Sequence, residues 1–304
     1  MENKQYHIPV LLSEVIEQLN IKPEGTYVDL TFGGGGHTKA ILQHLSNKGK
    51  LIAFDQDEDA QQLANNIKQS NFTFIKANFK FIKQFLEFHN IQKVDGIFAD
   101  LGVSSYQIDQ PNRGFSIRHN AELDMRMNTN QIMTAKEIIN TYSLKQLTEI
   151  FNKYGEIKNS YKLANQIIES RKKNKITTTH QLKEIAEPLA PPRKEYKYLA
   201  KVFQAIRIAL NDEIQCLEEM LKVSPTLLNP QGRLVTIAYH SLEDTMIKNF
   251  IKKGNAKGLI VKDIYGTVIR PLRPVHLRAI KPSYQEINAN NRARSARLRV
   301  AELD

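Results

Sequence analysis

The apolar run Thr26-Tyr-Val-Asp-Leu30 leads through Thr31-Phe-Gly-Gly-Gly-Gly-His37 into a helical pattern over residues 38–45. Nothing else in the chain constrains its fold as strongly. A strand, a glycine turn and a helix in that order open a doubly wound α/β sheet, with a nucleotide-type pocket at the turn. Glycines there leave the backbone open to a ligand that any Cβ would hold away. The next apolar run, Lys50-Leu-Ile-Ala-Phe-Asp55, ends in an acid. A carboxylate at that position can accept hydrogen bonds from both hydroxyls of a ribose.

The glycine spacing narrows the ligand. Gly33 and Gly35 fit the first two positions of the dinucleotide fingerprint, but Thr38 occupies the third. The phosphate-loop pattern is absent as well, because no Gly-Lys-Ser/Thr follows. Asp29 before the glycines and Asp55 closing the next strand suit S-adenosylmethionine better. That molecule has a ribose, no phosphate, and both its amino-acid charges at one end.

Strands at 28–30, 51–55, 72–76 and 94–99 alternate with helices at 38–45, 60–68 and 79–89, which implies a parallel sheet with right-handed crossovers. Asp57, in Asp57-Glu-Asp, reads as a helix cap rather than a ribose ligand. After Asp100 the alternation stops. Residues 101–130 have the composition of a long loop, and residues 135–189 read as several helices. Ala190-Pro-Pro192 interrupts, and one long helix is expected from about 195 to 221. A fifth strand at 233–239 follows the turn Asn229-Pro-Gln-Gly232, and residues 259–264 are a further strand candidate. The expected organisation is an α/β, Rossmann-like methyltransferase sheet of residues 1–105 and 216–304. A helical domain for substrate recognition, residues 106–215, is inserted in it.

Polar groups gather where such sheets bind ligands, beyond the carboxyl ends of the strands. Asp29, Asp55, Asp100 and Tyr239-His240-Ser241 all fall there. Phe79, after the third strand, can stack on an adenine or serve as plain core. Asp100 can orient an exocyclic amine, and His240 can help remove its proton or make a structural hydrogen bond instead. Gln204, Arg207 and Asn211 recur at helical spacing, as a solvated face or as the lining of a substrate channel.

The charge balance points to the substrate class. There are 43 Lys and Arg against 32 Asp and Glu, a net charge of +11, which fits a polyanionic partner. Arg292, Arg294, Arg297 and Arg299 form a basic tail, preceded by Arg270, Arg273, Arg278 and Lys281, and the tract fits phosphate contacts on RNA. The single cysteine, Cys216, permits no internal disulfide and no cysteine metal cluster, and no metal is expected. Cys216 lies in an amphipathic helix as a packing residue. It therefore removes methylation at pyrimidine C5, which needs a cysteine nucleophile. The polar start and the lack of any apolar run near the ~18 residues of a membrane span suggest a cytoplasmic protein.

The chain resembles the bacterial 16S rRNA cytosine-N4 methyltransferases over nearly its whole length. The likeness rests on His7-Ile-Pro-Val-Leu-Leu12, the glycine motif through His37, Asp100-Leu-Gly-Val-Ser-Ser105 and Arg113-Gly-Phe. It continues in Leu123-Asp-Met-Arg-Met127, Phe203-Gln-Ala-Ile-Arg-Ile208, His240-Ser-Leu-Glu-Asp244 and Asn291-Arg-Ala-Arg-Ser295. The resemblance implies S-adenosyl-L-methionine contacts at Gly35, Gly36, His37, Asp55, Phe79, Asp100 and Gln107. It implies N4 methylation of a decoding-centre cytidine, position 1402 in standard small-subunit numbering, on 16S rRNA or the small ribosomal subunit. Four places depart from the family pattern. Tyr239 stands where Phe usually precedes the His-Ser-Leu-Glu-Asp motif, and Ile157 stands for a second Glu. Tyr198-Leu-Ala-Lys201 replaces a Pro-Ala-Thr-Arg-like segment, and Asn291 replaces a Pro. A ribose 2′-O methyltransferase and a non-catalytic ribosome-assembly factor are the rival readings, and monomer or homodimer stays open.

Overall fold

Five parallel strands, the first four of them apolar runs closed by a polar group, make most of a seven-stranded sheet. The computed structural model describes residues 9–304, so His7 and Ile8 of the first motif lie outside the described residues. In chain order come α1 (Leu12–Leu19), β1 (Thr26–Asp29), α2 (Gly36–His44), β2 (Lys50–Asp55) and α3 (Glu58–Ala64). After them come β3 (Phe72–Lys76), a short 3₁₀ turn at Phe79–Phe81, α4 (Ile82–Phe88) and β4 (Val94–Asp100). The helical region holds α5 (Ser105–Asp109), α6 (Ala135–Thr141), α7 (Leu144–Lys153), α8 (Ser160–Lys173), α9 (Thr179–Ala186) and α10 (Glu195–Leu210). The chain then returns through α11 (Glu213–Leu227), β5 (Leu228–Ala238), α12 (Ser241–Lys253), β6 (Arg273–Pro274), α13 (Tyr284–Ala289) and β7 (Arg297–Glu302).

Two compact units result: residues Met1–Gly102 with Ile214–Asp304, and residues Val103–Glu213. The sheet of the first runs β3-β2-β1-β4-β5-β7-β6. Strands β1 to β5 are parallel, and β7 runs antiparallel between β5 and β6. Alternation along β4 decides which helices cover which face. Ile97 and Ala99 join a core with Leu86 of α4, Leu217 and Leu221 of α11, and Ile247 and Phe250 of α12. Phe98 points the other way, into a core with Val15 and Leu19 of α1 and Ile41 of α2. A polar residue at Phe98 would remove a fully buried ring and cost about 3–5 kcal/mol.

The helical unit has its own core around Leu147, Phe151, Leu163, Ile167, Val202 and Ile206. Helices α5, α7 and α9 start on reciprocal capping boxes, Ser104 with Gln107, Ser143 with Gln146, and Thr178 with Gln181, which satisfy amide donors left open at those first turns.

Three expectations need correction. The long helix expected over 195–221 is two helices, broken at Asn211 and at Asp212, which is left-handed with φ 51°. Residues 259–264 form no strand. They are one arm of an exposed hairpin, with a single bridge between Lys262 and Val268. The basic tail is in part a strand: Leu298 and Val300 are buried in β7 and Arg299 is tied to Asp244 at 2.7 Å. Arg270, Arg273, Arg278, Lys281, Arg294 and Arg297 are exposed; of these, Arg273 bridges to Glu302 and Asp304, and Arg297 lies 3.9 Å from Asp244.

Candidate active site

The parallel register brings three acids to one rim. Asp29 ends β1 beside Ala53 and Phe98, Asp55 lies two residues past that Ala53, and Asp100 two past that Phe98. The strand order reverses between β1 and β4, so the crevice of this sheet opens at these residues.

Asp29 is fully buried and shapes the glycine turn. One oxygen accepts from the Thr31 amide at 3.1 Å, the other from the Thr38 hydroxyl at 2.6 Å. Burial still pushes its carboxyl up to about 6. In Asp55, Oδ2 accepts from the Gly33 amide at 2.8 Å and Oδ1 from the Asp57 amide at 3.0 Å. Each oxygen keeps a second lone pair, and burial raises this carboxyl to about 6 as well. Asp57 caps α3 by accepting from the Asp59 amide, the role its sequence context suggests.

The glycines divide by role. Gly35 has φ +75°, and a Cβ there would meet the Phe32 ring at 2.7 Å. A Cβ on Gly36 would lie 2.3 Å from Pro9. These two are glycine because the chain itself crowds them, which corrects the expectation that a ligand alone demands them. Gly34 is different: a Cβ there meets nothing within 4 Å.

His37, on the first turn of α2, is buried and neutral, since burial lowers its pKa to about 4. Its Nε2 lies 3.0 Å from the Val10 carbonyl. A carbonyl can only accept, so Nε2 carries the proton and Nδ1 keeps its lone pair. That lone pair faces Asp100 Oδ2 across 3.8 Å. Asp100 Oδ1 accepts from the Tyr239 hydroxyl at 2.8 Å, and burial pushes the Asp100 carboxyl up to about 7. Two acceptors thus flank one gap, and an ammonium or amino group is the chemistry that satisfies both.

Phe79 is half-buried and packs against the core that includes Ile82 and Leu86 of α4. Asn78 before it caps the 3₁₀ turn and reaches Gln56 at 3.2 Å. His240 caps α12: Nδ1 lies 3.5 Å from the Glu243 amide and Nε2 3.1 Å from Glu243 Oε1, out of line for a hydrogen bond. With both nitrogens turned to Glu243, this geometry favours the structural reading of His240 over that of a base. Gln107 belongs to the helical unit, where its Oε1 accepts from the Ser104 amide at 3.0 Å. The polar stripe of α10 bonds within the helical unit. Gln204 bonds to the Tyr154 carbonyl, Arg207 pairs with Glu213 through two nitrogens, and Asn211 holds the backbone of Met125 and Met127. Sequence reasoning missed the Tyr239–Asp100 bond, whose only prior sign was the departure from Phe.

The sheet order with a reversed β7, the glycine turn after β1 and the acid ending β2 define the class I S-adenosylmethionine-dependent methyltransferase fold. Residues 4–304 match the MraW methylase family, and the chain belongs to it. "Ribosomal RNA small subunit methyltransferase H" of Amoebophilus asiaticus is 54% identical over 297 residues, covering 98% of this chain and 96% of that protein. The protein of the same name from Bacteroides fragilis is 49% identical over 301 residues, covering 99% and 98%. Among solved structures, an rRNA methylase from Streptococcus thermophilus aligns with a TM-score of 0.40 at 14% identity, over 96% of this chain and 93% of that one. No helix among the described residues is long and apolar enough to cross a membrane.

Proposed function

We propose that this chain transfers a methyl group from S-adenosylmethionine to the N4 amine of a decoding-centre cytidine in 16S rRNA. The names of its relatives support the small-subunit rRNA as substrate. The gap between Asp100 Oδ2 and His37 Nδ1 carries the reading on the chemical side, because it asks for an amine-type donor beside a ribose-binding acid.

The bound donor supplies an electrophilic methyl on a sulfonium. Gly35, Gly36 and His37 would form the turn that holds it, and the spare lone pairs of Asp55 would accept from its ribose hydroxyls. Phe79 would hold the adenine. Asp100 accepts an N–H, orienting the nitrogen lone pair toward the methyl group, so positioning does much of the catalysis. As the amine is alkylated its proton must leave. A carboxyl poised at about 7 can take it at neutral pH. His240 fixes the turn that presents Tyr239 to Asp100. The helical unit, Val103–Glu213, selects the RNA, and the exposed Arg270, Arg278, Lys281, Arg294 and Arg297 meet phosphates.

Incubation with methyl-labelled donor and small subunits lacking the modification tests this. Nucleoside analysis should place the label in N4-methylcytidine. Label on a ribose, or none, overturns the proposal.

A further inference from the structure

Tyr239, where the sequence departs from the resembled pattern, adds a hydroxyl at the rim of the site. The hydroxyl donates to Asp100 Oδ1 at 2.8 Å. Its aim is fixed from the backbone outward. β5 ends at Ala238, paired with Arg297 of β7, and the Tyr239 amide donates to Glu243 Oε2 at 3.2 Å. Glu243, buried on the first turn of α12, thereby ties the strand end to the helix start.

We propose that Tyr239 is a positioning residue, whose hydroxyl holds the Asp100 carboxylate ionised and turned so that Oδ2 remains for the ligand's amine. This rests on the reading above together with the S-adenosyl-L-methionine contact that the resemblance implies for Asp100. The groups bearing on Asp100 come from four elements. Asp29 on β1 and Glu243 on α12 are carboxylates that disfavour its charge. His37 on α2 is neutral and offers a lone pair, while among the described residues Tyr239 after β5 contributes the donor to the carboxylate. The Asp100 amide is used elsewhere, donating to Thr31 Oγ1 at 2.6 Å. Burial is the largest influence and raises the carboxyl, and the Tyr239 hydrogen bond pulls it back. Burial also drives the phenol far above its ordinary value, with the Asp100 and Glu243 charges adding to it, so it stays a donor at any working pH. A phenylalanine would leave Oδ1 against a ring edge without a proton to accept.

The test is calorimetric titration of S-adenosylhomocysteine into the ligand-free protein between pH 6 and 8.5, for the native chain, Tyr239→Phe and Asp100→Asn. In the native chain affinity should rise as pH passes through about 7. In Tyr239→Phe that midpoint should move up by about one unit, which gives roughly fivefold weaker binding at pH 7 and near-equal binding at pH 8.5. An unchanged midpoint, or a loss equal at every pH, overturns the role of Tyr239. Asp100→Asn serves a separate purpose: its binding should be weak, and flat between pH 7 and 8.5, above the range in which the Asp55 carboxyl titrates. A pH dependence that survives there in Asp100→Asn overturns the underlying placement of Asp100, whatever Tyr239→Phe does. Thermal unfolding of each variant confirms that the fold is retained.

Discussion

In the helical unit charge meets opposite charge: Arg207 pairs with Glu213 and Arg126 with Asp124, each through two nitrogens. At the strand ends of the other unit, Asp29, Asp55 and Asp100 are sunk among amides and hydroxyls, with no cation paired to them among the described residues. The pKa directions follow. Burial acts to raise Asp124, but the Arg126 hydrogen bonds outweigh it and hold the carboxyl low. The three strand-end acids are all raised. The helical unit is thus built by local rules that favour stability. The rim departs from those rules where a ligand would supply the missing donors, which is where such departures belong.

The sharpest way to break that contrast is Asp100→Asn. The amide oxygen can still accept from Tyr239, but the negative charge is gone. Methyl transfer should fall by about 10²–10³-fold, while the ligand-free protein melts at a higher temperature. Parallel assays of label transfer and thermal unfolding would show both, and loss of activity together with loss of stability would mean that the acid is merely structural. In the helical unit the opposite is expected of Asn211→Ala. It strips partners from the buried backbone of Met125 and Met127 and should cost about 1–3 kcal/mol. Below the variant's melting point, affinity for S-adenosylhomocysteine should be unchanged.

The pH dependence separates the units more gently. An acid whose folded pKa lies above its unfolded value of about 3.9 binds a proton on folding, so its contribution is lost as pH rises through the folded value. The melting temperature of the ligand-free chain should therefore fall by a few degrees between pH 5 and 7.5, and Asp100→Asn should flatten the slope. Asp124, held low, acts only below about pH 4 and does not enter this window. Smallest is Ser143→Ala, which opens one capping box and should cost about 1 kcal/mol by denaturant titration, with no effect on ligand affinity.

The first four strands were legible because each is a short apolar run closed by an acid, Lys or turn, and the order of those ends predicted the rim. β7 was hidden by its own charge. Leu298 and Val300 alternate with Arg297 and Arg299, a strand pattern, but four arginines in close succession read first as an RNA tail. The break at Asn211-Asp212 was missed because helical periodicity continues across it, although both residue types favour left-handed or capping backbone. The run at 259–264 failed in reverse, since it has β-forming residues but no neighbouring strand in the sheet to accept them. Within the site, Asp55, Asp100 and His37 could be named from sequence. Their protonation could not, because it depends on burial and on Val10 and Tyr239, which are remote in the chain from the groups they touch.

The pairing of Asp100 with Ile237 across the β4–β5 ladder has a kinetic consequence. Every residue of the helical unit lies in the loop that this contact must close. Closure of a long flexible loop is slow, whereas contacts within and between successive helices form quickly. If the helical unit collapses first, it converts that loop into a folded body, and the final strands need search far less space. Refolding followed at separate probes in the two units should then show helices gaining protection before the sheet. A variant that melts the helical unit should slow completion of the sheet without touching a residue in it.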